Sequence, residues 1–288
     1  MPYFIHLAII FSIFAILGIS LNLVVGYTGL LSVTHAAFYG IGAYSAAILL
    51  TQTKLGFFPS LILGIFFTSA ASFLISAVLS KFKNDYYALG SFGFNIIIFS
   101  ILMNWQNFTN GPLGISGISK PSLFGFSINS NFSFLILSIF FLLVVYAISR
   151  FIIKSSFGRV LKAIREDEKA IQIFGYNTPH FKTIIFMLSA GMASVAGSLF
   201  ASYITFIEPS SFHLMESIFI LAIIILGGLA NIKGSIIGAA FLILLPEALR
   251  FIGFPLSVAA QMRHVIYGLI LIILMLYRPQ GLMGEYKL

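Results

Sequence analysis

From Phe4 to Val25 the chain runs for 22 residues without a charged side chain, and runs of this kind recur along its length. Inside a bilayer every backbone N–H and C=O must be satisfied within the structure, so a run of about 20 apolar residues reads as a spanning helix. Nine candidate spans meet that measure, at roughly 4 to 25, 36 to 53, 58 to 80, 86 to 105, 132 to 153, 181 to 204, 215 to 230, 235 to 251 and 262 to 277. Gly227, Gly228, Gly234 and Gly238 interrupt the seventh and eighth, which makes one of these a candidate re-entrant segment. The expected fold is all-α, a polytopic transmembrane helix bundle of about 8–10 spans with broken or re-entrant helices and a cytoplasmic helix. Residues 1–288 are expected to form a single integral-membrane domain, with residues 154–180 a cytoplasmic loop within it.

Composition narrows the function classes. With 59% hydrophobic residues, 8% charged residues and a mean hydropathy of +1.06, no soluble catalytic domain has room to exist. The absence of cysteine excludes disulfides and thiolate metal sites. A net charge of +8 raises the question of nucleic acid, but the cations lie between spans, where the positive-inside rule accounts for them, and no nucleic-acid partner is expected.

Ten of the 24 charged residues fall between Arg150 and Lys182. Placing that island in the cytoplasm and alternating outward puts 12 of the 16 cations inside. The N-terminus is then outside and the C-terminus cytoplasmic, in a multi-pass protein of a bacterial-type inner (plasma) membrane. Within the island Phe157, Val160, Leu161 and Ile164 share one helical face. Asp167 is placed to cap a second short helix carrying Ala170, Ile171 and Phe174, with Gly175 at its C′ position. Such an amphipathic pair can lie on the leaflet, fold back as a connector, or project into a partner's groove, and periodicity does not choose. On the other side, Asn104 to Asn131 is rich in Gly, Pro, Asn and Ser, which is loop chemistry and a candidate docking surface.

Four stretches together resemble the LivM-type permeases of branched-chain amino-acid ABC transporters. They are Gly26 to Ser32 continuing through His35 to Tyr44; Asp85 to Leu89 with Gly111 to Ile118; Gly158-Arg159 with Ala163 to Glu168; and Tyr277 to Leu282. The resemblance implies a membrane subunit that pairs with a second, related permease of the LivH type, two ABC ATPase subunits and a periplasmic or extracellular substrate-binding protein, in membrane lipid. ATP and Mg would then belong to the ATPase partners, with no cofactor in this chain and no catalytic or metal residues. The residues matching the ATPase-coupling segment are Gly158, Arg159, Leu161, Lys162, Ile164, Arg165, Glu166, Glu168, Ala170 and Gly175. The family's Glu-x-Ala-Ala run reads Glu168-Lys169-Ala170-Ile171, which adds bulk at the last position. Independently, no GxxxxGK[ST] phosphate loop occurs, so ATP-driven transport must draw on another chain.

A zwitterionic aliphatic substrate asks for hydrogen-bond donors, acceptors or an acid, and an apolar slot, which broken helices help to supply. Candidate breaks are Gly26 to Gly29, Gly40 to Gly42, Gly90 to Gly93 and Gly227-Gly228. Candidate path residues are Tyr27, Thr28, Ser32, His35, Asn95, Gly227 and Gly228, with His35 expected near the inner turn. Glu247 and Arg250 are expected to pair at the outer interface, and His213, Glu208 and Glu216 to flank an outer loop. The expected function is a non-enzymatic permease subunit of an ATP-driven importer of leucine, isoleucine and valine. Urea or short-chain amides are the alternative cargo, and an ion-coupled secondary transporter the alternative class.

Overall fold

The computed structural model describes residues 2–53, 55–82, 85–123, 126–128 and 130–251, with positions 268, 269, 272, 276, 277 and 280–284. Apart from those positions, the ninth candidate span, at 262 to 277, lies outside the described residues, as do Lys54, Lys83, Arg263, Arg278 and Lys287. The pairing of Glu247 with Arg250 falls outside them as well.

In chain order the elements are α1 (Pro2–Thr28), α2 (His35–Gln52), α3 (Phe57–Leu79), α4 (Asp85–Asn104), α5 (Gln106–Thr109), β1 (Ile115–Ser116), β2 (Ser122–Leu123), β3 (Phe126–Ser127), α6 (Asn131–Lys154), α7 (Ser156–Glu166), α8 (Glu168–Ile173), α9 (Thr178–Ile204), β4 (Phe206–Ile207), α10 (Leu214–Gly227) and α11 (Ile232–Phe251). The first eight predicted spans are all helical. Six helical segments are long and apolar enough to cross a membrane: α1, α3, α4, α6, α9 and the stretch Pro209–Gly227. The 18-residue α2 misses that measure because His35, Tyr39, Tyr44 and Gln52 dilute its apolar content.

The bundle is built around α1, α2 and α9. Small residues let these backbones meet: a Cβ added to Gly197 of α9 would collide with the Tyr39 carbonyl and lie 2.7 Å from the Ala43 amide of α2. Around this centre stand α3, α4 and α6, whose outward faces carry Phe66, Leu74, Leu89, Ile97, Phe140 and Leu143, all exposed. The α10–α11 pair closes the remaining side against α1. Away from the charged island, β1 pairs antiparallel with β4, Ile115 opposite Ile207, and ties the long Asn104 to Asn131 connection to the turn after α9.

The six residues from Gly29 to Thr34 are not helical, and they lead from the end of α1 back into the bundle. Gly29 takes the left-handed conformation (φ +73°) and its N–H closes the last turn of α1 on Val25. The first residue of α2, His35, reaches Ser20 of α1 with its ring. Ser20 precedes Thr28 by eight residues, about 12 Å along the helix at 1.5 Å per residue. So α2 starts about two turns inside the bundle, deeper than the inner turn where the sequence suggested His35. Of the four candidate breaks, this one is a true interruption; Gly40 to Gly42 and Gly90 to Gly93 lie inside continuous helices, and Gly227 ends α10.

Candidate functional site

Two groups of polar residues stand out in an otherwise apolar molecule. One is the polar seam that holds residues 29–34 and the start of α2; the other is the charged island on α7 and α8.

Non-helical backbone at membrane depth is tolerated only where protein satisfies it. Here α4 and α10 do so. Val33 donates its N–H to Ser91 Oγ (3.0 Å), and its carbonyl accepts from Asn95 Nδ2 (3.2 Å). Asn95 Nδ2 also donates to Ser217 Oγ (2.9 Å), and Ser217 Oγ accepts the first free N–H of α2, from Ala36 (2.9 Å). Ser32 and Thr34 bond through their hydroxyls (2.9 Å). His35 Nε2 lies 3.0 Å from Ser20 Oγ and 3.3 Å from Ser189 Oγ of α9. Two buried atoms of the seam, His35 Nδ1 and Asn95 Oδ1, have no hydrogen-bond partner among the described residues.

Of the candidate path residues, the structure therefore brings Ser32, His35 and Asn95 together. Thr28 bonds back to Val24 at the end of α1. Tyr27 lies under the Lys162 ammonium, 5.6 Å from its ring centroid, and so belongs with the island. Gly227 and Gly228 sit apart, at the α10–α11 junction. There Asn22 holds the turn: its amide donates to the Gly228 carbonyl (3.2 Å), the Asn231 carbonyl (3.0 Å) and Ser235 Oγ (2.7 Å), while its oxygen accepts from Ala230 N–H (3.0 Å). Ser91 and Ser217 were missed from sequence, because a serine in an apolar helix carries no mark of the strap it will meet far along the chain.

On the island, Ser155 starts α7 by accepting from Gly158 N–H, and Asp167 starts α8 by accepting from Ala170 N–H (3.0 Å). Gly175 follows α8 with φ +86°, as its C′ position requires. The apolar stripe of α7 faces inward. Leu161 and Ile164 are buried and Phe157 stacks on Phe181 of α9, ring centroids 5.2 Å apart. Gly158 is packed so tightly that a Cβ would strike the Ile152 and Ile153 carbonyls. Arg165 reaches into the bundle to donate from Nη1 to the Gly26 carbonyl of α1. Glu168 is held by Lys182 (2.6 Å) and by the Thr178 hydroxyl (2.8 Å). Arg159 and Glu166 remain exposed, and Ala170 is half-buried.

The surface that α8 offers outward is apolar. Ile173 is 85% exposed and Phe174 77% exposed, with exposed Tyr176 beside them. Periodicity marked the α7 stripe as an apolar face without saying what lies against it; in the fold α1, α6 and α9 pack against α7, and the free apolar tip belongs to the end of α8, where the sequence placed Phe174. The signal was present in the adjacent Ile173-Phe174 just before Gly175, an apolar pair on a helix too short to bury it. Between the α7–α8 junction and the end of α1 lies a cleft of about 680 Å³ lined by Thr28, Leu31, Asp85, Arg165, Glu166 and Lys169.

Residues 3–275 match a family model described as branched-chain amino acid transport system / permease component. The chain is 33% identical over 295 residues to the high-affinity branched-chain amino acid transport system permease protein LivM of Salmonella typhimurium, covering 94% of this chain and 68% of that protein. It is 33% identical over 303 residues to LivM of Escherichia coli K12, covering 97% and 69%. Against the permease protein LivH of Salmonella typhimurium it is 27% identical over 296 residues, covering 95% and 92%. No solved structure matches.

Proposed function

This chain belongs to the family of permease components of branched-chain amino acid transport systems, and from that premise we propose that it is a non-enzymatic, multi-pass subunit of an ATP-driven importer of leucine, isoleucine and valine. A second permease of the LivH kind completes the path, two ATPase subunits drive it, and a binding protein delivers the cargo. Similarity to both LivM and LivH supports a pair of related permeases. The island and the C-terminus lie in the cytoplasm, consistent with the excess of cations on that side. ATP and Mg belong to the ATPase subunits.

The observation that carries the coupling assignment is the apolar tip at Ile173, Phe174 and Tyr176, held out from the only dense charged stretch of a chain that lacks a phosphate loop. A membrane subunit has no use for large exposed apolar side chains in water unless a partner covers them. The polar seam at Ser32, His35 and Asn95 is the element that such a push would act on, since Arg165 joins α7 to the end of α1 just before residues 29–34.

The test is co-expression with the cognate partners. Ile173→Asp with Phe174→Asp should leave the two permeases assembled but lose the ATPase subunits on purification, together with ATP-driven uptake of labelled leucine. Retention of both ATPases and uptake by that double variant would remove the coupling assignment. Uptake of labelled urea in preference to leucine by the unaltered transporter would move the cargo to the amide class.

A further inference from the structure

Acidic residues are scarce in this chain, eight in 288, and their placement is uneven. Asp85, Glu166, Asp167 and Glu168 line the charged cleft beside α7 and α8. Glu208 accepts from the Ser210 hydroxyl in the turn before α10. Glu216 and Glu247 line one separate cavity of about 250 Å³ between α1, α10 and α11. Its other walls include Leu7, Ile10 and Phe14 of α1, His213 just before α10, Phe219 of α10 and Ile243 of α11. Those α1 residues belong to the half of the helix remote from Gly26 and the island.

Glu216 stands in the first turn of α10, beside the loop that the sequence expected it to flank, and is half-buried. Glu247 follows Pro246 within α11 and is half-buried too. Among the described residues the Glu216 carboxylate accepts no hydrogen bond and makes no ion pair; the Arg250 side chain, expected to pair with Glu247, lies outside them. A carboxylate at membrane depth without a partner is costly, and such residues mark substrate or ion pathways. Apart from His213, the two acids are set in a wall of apolar side chains. The cavity lies just under the range of drug-sized pockets, which suits a molecule as small as an aliphatic amino acid.

We propose that the cavity between α1, α10 and α11 is a substrate subsite, in which Glu216 and Glu247 receive an ammonium group while Leu7, Ile10, Phe219 and Ile243 receive an aliphatic side chain. This rests on the reading of the chain as an amino-acid permease subunit and deepens it. A urea or amide brings no cation to two carboxylates, so the subsite selects the zwitterion against neutral cargo of similar size.

The experiment uses the whole transporter in proteoliposomes with both permeases, the ATPases, the binding protein and ATP. Glu216→Gln should raise the leucine KM by about 10- to 100-fold, the scale of one charge-assisted hydrogen bond. Glu216→Asp should recover part of the loss, and Glu247→Gln should move KM in the same direction. If Glu216→Gln does not assemble, Ile10→Phe carries the test by narrowing the slot, and the preference should shift from leucine toward valine. A leucine KM within about twofold of the unaltered transporter for both glutamine variants, or an unchanged leucine-to-valine preference for Ile10→Phe, overturns the subsite. Leucine uptake by the unaltered transporter tests the amino-acid reading by itself. Urea uptake alone would defeat that reading, whereas leucine uptake with unmoved variants would defeat only the subsite.

Discussion

Helices α1 and α6 are both long, uncharged through their apolar windows and similarly apolar, yet 83% of the α1 window is buried in protein and only 33% of the α6 window is. On α6 the buried residues Phe134, Leu137, Ser138, Phe141, Val145 and Ser149 form a single stripe, and Ile136, Ile139, Phe140 and Leu143 face outward. On α1 burial runs all round and includes Ser12, Ser20 and Asn22. Lipid and protein interior are equally apolar, so hydropathy states that a helix is in the membrane and not what surrounds it. The distinguishing mark is small or polar residues with distant partners, as when Asn22 bonds to residues 228–235.

That contrast can be broken by substitution, with the folded state followed by thermal unfolding in detergent and by recovery of monodisperse protein. Gly197→Leu should have the largest effect, more than about 3 kcal/mol, because the new side chain meets backbone of α2 that cannot give way. A variant that melts with the unaltered protein would show that α2 and α9 are not packed as described. Asn22→Leu comes next, at about 2–4 kcal/mol, since it strands the Ala230 N–H and two carbonyls in the core. Ser189→Ala removes the bonds to the Ser20 carbonyl (2.5 Å) and to His35, worth about 0.6–1.7 kcal/mol on the scale of interhelical bonds in membranes. Leu143→Ala on the outward face of α6 should fall within about 0.5 kcal/mol. A larger loss there would mean that α6 is covered by another chain, which would place the second permease on that face.

The same contrast explains what could be read in advance. The apolar runs located eight helices because lipid leaves the backbone no other option. Asp167 and Gly175 were legible as caps because capping is settled within a single turn. The depth of α2 was not, because it depends on Ser91, Asn95 and Ser217, which lie 58 to 181 residues from the groups they hold. The α7 stripe was recognised as a face, but periodicity does not say whether the chain's own bundle or a partner lies against it. The Glu216 and Glu247 cavity assembles where α10 and α11 meet α1, a helix distant from them in sequence, and no local pattern announces it.

The early start of α2 also bears on how the chain is made. Residues 29–34 expose backbone groups that lipid cannot satisfy, and the partners that satisfy them leave the ribosome with α4 and α10, long after α2 itself. Until α9 emerges, the closest-packed face of α2 has nothing against it. Synthesis therefore passes through an interval in which α1 and α2 wait as an incomplete pair, their polar groups not yet met by the helices that will hold them.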